Sequence, residues 1–457
     1  MNASLVQIGT NRRFLGLGLV LFIFALFSFS GQVYYRNHPT DANSQPLNVQ
    51  VPSSPDSNSE KCLDKPLKGS VKSLPWFDGT WNAARDSHNR LLSAAECDLA
   101  FPALYADVDR AVKMRSKQPI TQEEMDRATP FLGSVKGYIY DQQVYVLENG
   151  PLFLTRPEAI LQAIHRAVMT SPEPLPNIEF VFGTVDNMPN KTAIWGVTHD
   201  DANTNVWLMP DFGFWSWPEP KVSSFEQQQR AVKMIEEGYP KEAVSNASVD
   251  ETVYSWDKKD PRLAWRGAVM GFNVRQKLVD QSKGHSWADV RELNWSDHAS
   301  LARDRLTMAE HCRYKFVAQT EGYANSGRLK HLHNCRSVVF APRARWKEHF
   351  HSALRSSGPE QNFVEVEPDW SDLEPKIEEL LKDDAKAKRI ADNNVKTFRE
   401  RYLSLAAETC YWRKLIRSWH QVSFEPDVWE IVDGRRKLKG VSVEDFLLLR
   451  TTDWEAH

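Results

Sequence analysis

The sequence predicts an α/β protein of two doubly wound, Rossmann-like domains facing each other across a cleft, behind an N-terminal transmembrane helix. Three observations predict it. Strand and helix patterns alternate in two separate stretches, from Trp76 to about Asp250 and again from Asp260. Within the second stretch a short apolar strand, Phe316 to Gln319, runs into a small-residue turn and a helix opening at Ser326 or Gly327. Residues 14–35 carry no charge at all.

That uncharged run comes first in order. About 22 residues at 1.5 Å each span roughly 33 Å, enough to cross a bilayer core. Arg12 and Arg13 precede it and only Arg36 follows, which places residues 1–13 in the cytosol and the rest in the lumen. The expectation is a single-pass type II protein of the Golgi or endoplasmic reticulum membrane. Ser28-Phe29-Ser30 also fits a cleavage site, so a removed signal peptide is the rival, but the run is long for one. Residues 36–75 are rich in Pro, Ser, Asn and Asp and read as a flexible stem. Beyond it lie sequons at Asn190, Asn246 and Asn294, as a luminal glycoprotein would carry.

In the first alternating stretch, 76–255, Cys97 to Ser116 reads as one helix with Leu99, Phe101, Leu104, Val108 and Val112 near one face. Residues 137–147 read as a hairpin. Pro157 to Met169 is a helix with proline in its first turn, and Ile178 to Phe182 a buried strand ending in Gly183-Thr184-Val185-Asp186-Asn187. The second stretch, 256–405, has strands at Leu263 to Trp265, Phe316 to Gln319, Ser337 to Ala341 and Phe363 to Val366, with a helix from Asp372 to Leu381. Such alternation implies a parallel, helix-covered sheet in each half. Residues 406–457 are expected to pack back on the first half.

Charge is nearly balanced, 57 basic against 60 acidic residues, which argues against a nucleic-acid binder held by a broad basic field. Sixteen Trp and twelve Tyr suit a protein with sugar-stacking surfaces. Trp207, Phe212, Phe214, Trp215 and Trp217 crowd one Pro-rich stretch, and most of them are expected in the core.

The strand–turn–helix unit is where an anion would bind, because a helix N-terminus offers free N–H groups and a positive dipole end. Arg328 and Lys330 fall in the predicted first turn, against the preference of the dipole, as though a multiply charged anion were held there. Arg266, after the strand residue Trp265, and Arg275, near the next helix start, add two groups suited to bidentate phosphate contact. Asp186, leaving a buried strand at the rim of the same cleft, is placed to accept a proton from an attacking hydroxyl. Asp211 is a secondary candidate base. His199-Asp200-Asp201 reads as a loop rather than a metal set, and Asp107-Val108-Asp109 as a solvated helical face, so no metal and no other cofactor is expected.

Five cysteines allow two bridges. Cys312 and Cys335 arrive at the same end of the strand–helix unit, where a bridge would close a loop of roughly 20 residues. Cys410 is free to reach Cys62 or Cys97.

Trp265-Arg266-Gly267 with Arg275, His311-Cys312 with Tyr314-Lys315, Gly322, Ser326, Arg328, Lys330-His331-Leu332, Cys335 and Thr409-Cys410-Tyr411-Trp412 together resemble glycosyltransferase family 90. That family includes fungal capsule-associated glycosyltransferases and animal protein O-glucosyltransferases. The resemblance covers roughly Cys97 to Phe424. It implies a GT-B-like architecture, with an acceptor and catalytic-base domain over 76–255 and a UDP-sugar-binding domain over 256–405. It also implies an inverting, metal-independent transfer of xylose or glucose from a UDP donor to a glycan or protein hydroxyl. Asp186 is then the catalytic base, Arg266, Arg275, Gly322, Ser326, Arg328 and Lys330 hold the donor, and Cys312 pairs with Cys335. The chain departs from the animal enzymes around the base, with Val185-Asp186-Asn187 for Arg-Asp-Tyr, and at Glu321-Gly322 for Arg-Gly, so their acceptor contacts are not carried over. The alternative is a non-catalytic glycan-binding or scaffold protein that retains the fold.

Overall fold

The computed structural model describes residues 79–449, apart from 129, 152, 187, 189–192 and 239–251. The expected tail, anchor and stem, Cys62 and the sequons at Asn190 and Asn246 lie outside the described residues. The third sequon residue, Asn294, is exposed.

After a single helical turn at Ala83–Asp86, two helices follow in the first lobe, α1 (Ala94–Ala100) and α2 (Ala106–Arg115). The sequence reading made them one helix. Pro102 ends the first: it has no N–H for the ladder and its ring crowds the preceding turn. Leu99 consequently points to solvent, 63% exposed, while Phe101, Leu104 and Val108 are buried. The hairpin β1 (Ser134–Tyr140) and β2 (Gln143–Asn149) turns on Asp141 and Gln142, both at positive φ (46° and 62°). A two-residue turn of that hand matches the twist of the strands it joins. Then come α3 (Arg156–Met169), the wholly buried β3 (Ile178–Gly183), β4 (Ile194–Gly196) and β5 (Val206–Leu208). The strand order is β2-β1-β3-β4-β5, antiparallel as far as β3 and parallel beyond it. An all-parallel sheet was expected here. The tight hairpin forbids it, because parallel neighbours need a long crossover.

After α4 (Phe225–Glu237) the second lobe follows the expected pattern more closely. It comprises β6 (Asp260–Gly267), α5 (Asn273–Ser282), β7 (Ala288–Glu292), β8 (Tyr314–Ala318), α6 (Leu329–Leu332), β9 (Val338–Pro342), β10 (Val364–Val366), α7 (Leu373–Lys382) and α8 (Asp384–Thr397). The order β10-β9-β8-β6-β7 is parallel throughout. It reverses between β6 and β8, and ligands of doubly wound sheets bind at such a switch point, beyond the carboxyl ends of the strands. Trp265, Phe316, Val338 and Phe340 fill the core of this lobe.

The chain then returns to the first lobe. In α9 (Leu405–His420) the Trp419 indole donates to the Glu179 carbonyl at 2.8 Å and the Tyr411 hydroxyl to that of Leu208 at 3.0 Å. Buried Arg413 caps the carbonyls of Arg90, Leu92 and Ala167 at 2.7–3.1 Å. Finally β11 (Val441–Ser442) adds an antiparallel edge beside β2. Cys312 is bonded to Cys335, closing the base of the strand–helix unit, and Cys410 pairs with Cys97, joining α9 to α1. The second bridge links residues 313 apart. Cys410→Ser is expected to destabilise the protein by about 2–5 kcal/mol, because the crosslink restricts the unfolded chain. Thermal unfolding of the two proteins measures it.

Candidate active site

Two cavities open beyond the carboxyl ends of the second-lobe strands and share Asn325 and Ser326. The larger, about 610 Å³, lies over the ends of β8, β9 and β10 at Gln319, Pro342 and Glu365, with Asp107 and Leu208 of the first lobe on its border. The smaller, about 200 Å³, sits at the switch point. Arg275, Gly322, Ser326 and Lys330 line it from one lobe, Arg156 and Asp186 from the other. Asp186 and Ser326, expected from separate halves of the sequence, thus border one space.

The local geometry around Ser326 differs from expectation. Helix α6 is a single turn, and Arg328 is its N-cap rather than a first-turn residue. So short a helix contributes little dipole, and attraction for an anion falls to the side chains. Arg275 donates from Nε to the Glu321 carbonyl (3.0 Å) and from Nη1 to that of Ala268 (2.8 Å). A Cβ on Gly322 would lie 2.9 Å from Arg275 Nη2, so a side chain there would displace the guanidinium. Arg328 lies over the Trp265 ring, 5.8 Å from its centroid, and its Nε has no hydrogen-bond partner. Burial brings its pKa down to about 10, and the neighbouring charge of Arg275 pushes the same way. Burial also lowers that of Arg275. Among the described residues neither arginine makes a salt bridge. Two adjacent, half-buried cations without a counter-ion favour an anion between them.

Other expected donor residues are already engaged. Arg266 is buried: Nε donates to the Asp304 carbonyl at 2.7 Å, Nη1 to carbonyls of Trp265 and Asp289, and Nη2 to the Asp289 carboxylate at 2.9 Å. Burial opposes ionisation of Asp289, but the hydrogen bonds from Arg266 and Tyr314 prevail and hold it near 2. Arg266 is therefore a strut between β6 and β7, not a member of the arginine pair. Lys330 does line the small cavity, but its ammonium donates to Asp211 Oδ2 at 2.8 Å and to the Gly327 carbonyl at 2.8 Å. Its charge is matched within the protein. Asp211 loses its place as a secondary base, since Oδ1 accepts from the Gly213 amide and Oδ2 from Lys330. Both partners of this bridge between the lobes are buried (1% and 6% exposed). Lys330→Met is expected to cost about 3–5 kcal/mol, because it strands a buried carboxylate. Adding Asp211→Asn should recover a large part of that loss in chemical denaturation.

Asp186 follows β3 and keeps 53% of its side-chain surface, so at the rim of this cavity it is not shielded from water. Its nearest basic group, Arg156 Nη1, is 3.8 Å away. The sequence reading missed Arg156. Its one visible signal was a cation directly before the predicted helix; the structure starts that helix one residue earlier, at Arg156, where the dipole disfavours a cation. Of the crowded aromatics, Phe212 and Trp217 line the small cavity, and Trp207 is wholly buried. In the larger cavity the reading missed Glu348 and His349, both 3% exposed. Oε2 of Glu348 has no hydrogen bond, and burial lowers the pKa of His349 to about 3.

His199 and Asp107 form a structural contact. The imidazole Nε2 is 2.8 Å from the Asp107 carboxylate, which also accepts from Arg110 at 2.9 Å. Burial would raise the Asp107 pKa, but these two bonds lower it, so Asp107 is not the solvated residue expected. Asp200 meets Arg345 at 3.2 Å and Asp201 meets Lys347, so the loop ties the two lobes together. Among the described residues no three His, Cys, Asp or Glu side chains converge as a metal set.

A parallel sheet with paired cations at its switch point, faced by a carboxylate from the first lobe, defines a class: two-lobed α/β proteins with a cleft at the strand ends. The chain belongs to glycosyl transferase family 90, whose sequence pattern it matches over residues 93–430. It is thus a glycosyltransferase by family. Among relatives, it is 24% identical over 351 residues to an O-glucosyltransferase rumi homolog of Aedes aegypti, covering 72% of this chain and 81% of the relative. Against the corresponding protein of Anopheles gambiae identity is 31% over 193 residues (39% and 45% of the two chains). Against protein O-glucosyltransferase 1 of Rattus norvegicus it is 26% over 200 residues (40% and 49%).

Proposed function

We propose that this protein transfers a single sugar, glucose or xylose, from a UDP donor to a hydroxyl of a protein or glycan acceptor, inverting the anomeric centre and using no metal. The observation that carries the reading is the Arg275–Arg328 pair, two adjacent cations with no carboxylate partner among the described residues, beside the Ser326 turn shared by both cavities. A diphosphate there would be neutralised by the arginines, and charge developing on the departing UDP would meet preorganised donors. The larger cavity then takes the nucleoside, where buried Glu348, whose Oε2 lies 3.3 Å from His351 Nε2 without a hydrogen bond, is suited to accept from a ribose hydroxyl. The smaller cavity takes the transferred sugar, with Asp186 as base toward the acceptor hydroxyl. The names of the relatives favour glucose and a protein acceptor. Residues 14–35 support a type II anchor in the Golgi or endoplasmic reticulum membrane, with the catalytic lobes in the lumen. Incubating the luminal fragment with UDP-glucose and UDP-xylose, and following UDP release and product mass, tests the reading. Absence of both turnover and UDP binding would refute it.

A further inference from the structure

Arg156 occupies an unfavourable place. It is the first residue of α3, where the helix dipole opposes a cation, and Thr155 supplies no side-chain cap. Its side chain is only 13% exposed, and burial lowers its pKa. Three aromatic rings surround the guanidinium, with centroids 4.0 Å (Phe153), 4.4 Å (Phe212) and 5.6 Å (Trp217) from its central carbon. Such faces stabilise a cation and hold its plane. Yet among the described residues the group has no tight ion pair. Nη1 donates to the Thr184 carbonyl at 3.2 Å and stands 3.8 Å from Asp186 Oδ1, and Nε has no hydrogen-bond partner. One guanidinium thus reaches both ends of the short loop Thr184–Asp186, whose last residue otherwise stands open to water.

We propose that Arg156 is a positioning residue for Asp186: clamped between rings and anchored to the Thr184 carbonyl, it draws the carboxylate over the small cavity into line with the acceptor hydroxyl. The proposal rests on the assignment of Asp186 as base. Positioning of this kind acts on turnover and not on donor binding, because a misplacement of about 1 Å can lower rate by about 10².

The test compares Arg156→Lys, Arg156→Met and Asp186→Asn in the luminal protein. The measurements are UDP affinity, thermal unfolding, and kcat and KM for UDP release from UDP-glucose or UDP-xylose, with water or a small alkyl glycoside as acceptor. Methionine keeps much of the bulk between the rings without the charge. Arg156→Met is expected to lower kcat by about 10–10² with UDP affinity and donor KM unchanged within about twofold, and Arg156→Lys to restore at least about a tenth of wild-type kcat. Equal kcat in the two variants, or a loss confined to UDP affinity or folding, overturns the proposal. The premise fails separately: if Asp186→Asn retains turnover, the base is misassigned whatever Arg156 does.

Discussion

Asp186→Asn is expected to lower sugar transfer by about 10²–10⁴ while leaving UDP affinity within about twofold of wild type. The amide fills the same space and cannot take the acceptor proton. Donor binding survives because the groups proposed to meet the diphosphate, Arg275 and Arg328, hang from the second lobe and have no bond to Asp186. The exposure of Asp186 bears on the size of the effect. At 53% exposed it stands in water, and only a bound donor and acceptor would exclude that water and turn the carboxylate to the hydroxyl it serves. Titration calorimetry with UDP, alongside a UDP-release assay, separates the two properties. Equal loss of both would mean that Asp186 belongs to the donor site, and the division of labour between lobes would be wrong.

Parts of this arrangement were readable from residue order and parts were not. The hairpin was legible because β-branched and aromatic arms flank a short polar turn, and α3 because a proline stands in its first turn. The second sheet was legible because a strand buried on both faces leaves a continuous apolar run, as at Phe316–Ala318. The helix predicted over 97–116 failed because one proline outweighed an apolar stripe. The parallel character expected of the first sheet failed because strand direction depends on connection length, and the 141–142 turn is too short for a crossover. At the site, the residues adjacent to strand ends were found, since topology alone brings them to the cleft. Which arginine stays unpaired was not readable. Arg266 and Arg275 look alike in sequence, but Arg266 meets Asp289 from the neighbouring strand whereas Arg275 meets two carbonyls and the Met270 sulfur, and no carboxylate among the described residues. The same holds for Lys330, whose partner Asp211 lies 119 residues away. Long-range pairing of this kind leaves no periodic trace.

The unpaired state of Arg275 and Arg328 leads to the second large effect. Arg328→Ala is expected to weaken UDP binding by about 10–150-fold, corresponding to about 1.5–3 kcal/mol for a charge-assisted contact. A surface arginine would show far less, since its charge is hydrated and screened in either state. Arg328 is different because it is half-buried before ligand arrives: burial has lowered its pKa to about 10 and Arg275 adds repulsion. Diphosphate binding relieves that repulsion, so removing one arginine has two opposing consequences. The ligand loses a partner, and the empty protein loses an unfavourable pair. Arg328→Ala is therefore expected to leave thermal stability in the absence of UDP unchanged or raised, even as affinity falls. Arg266→Ala should do the reverse, lowering stability by about 1–3 kcal/mol, because buried Asp289 loses a charged partner while it keeps Arg291 at 2.9 Å and the Tyr314 hydroxyl at 2.6 Å. Melting curves with and without UDP read both effects in one experiment. If Arg328→Ala lowered the melting temperature of the free protein as Arg266→Ala does, the pair would be structural, and the nucleotide would have to bind elsewhere.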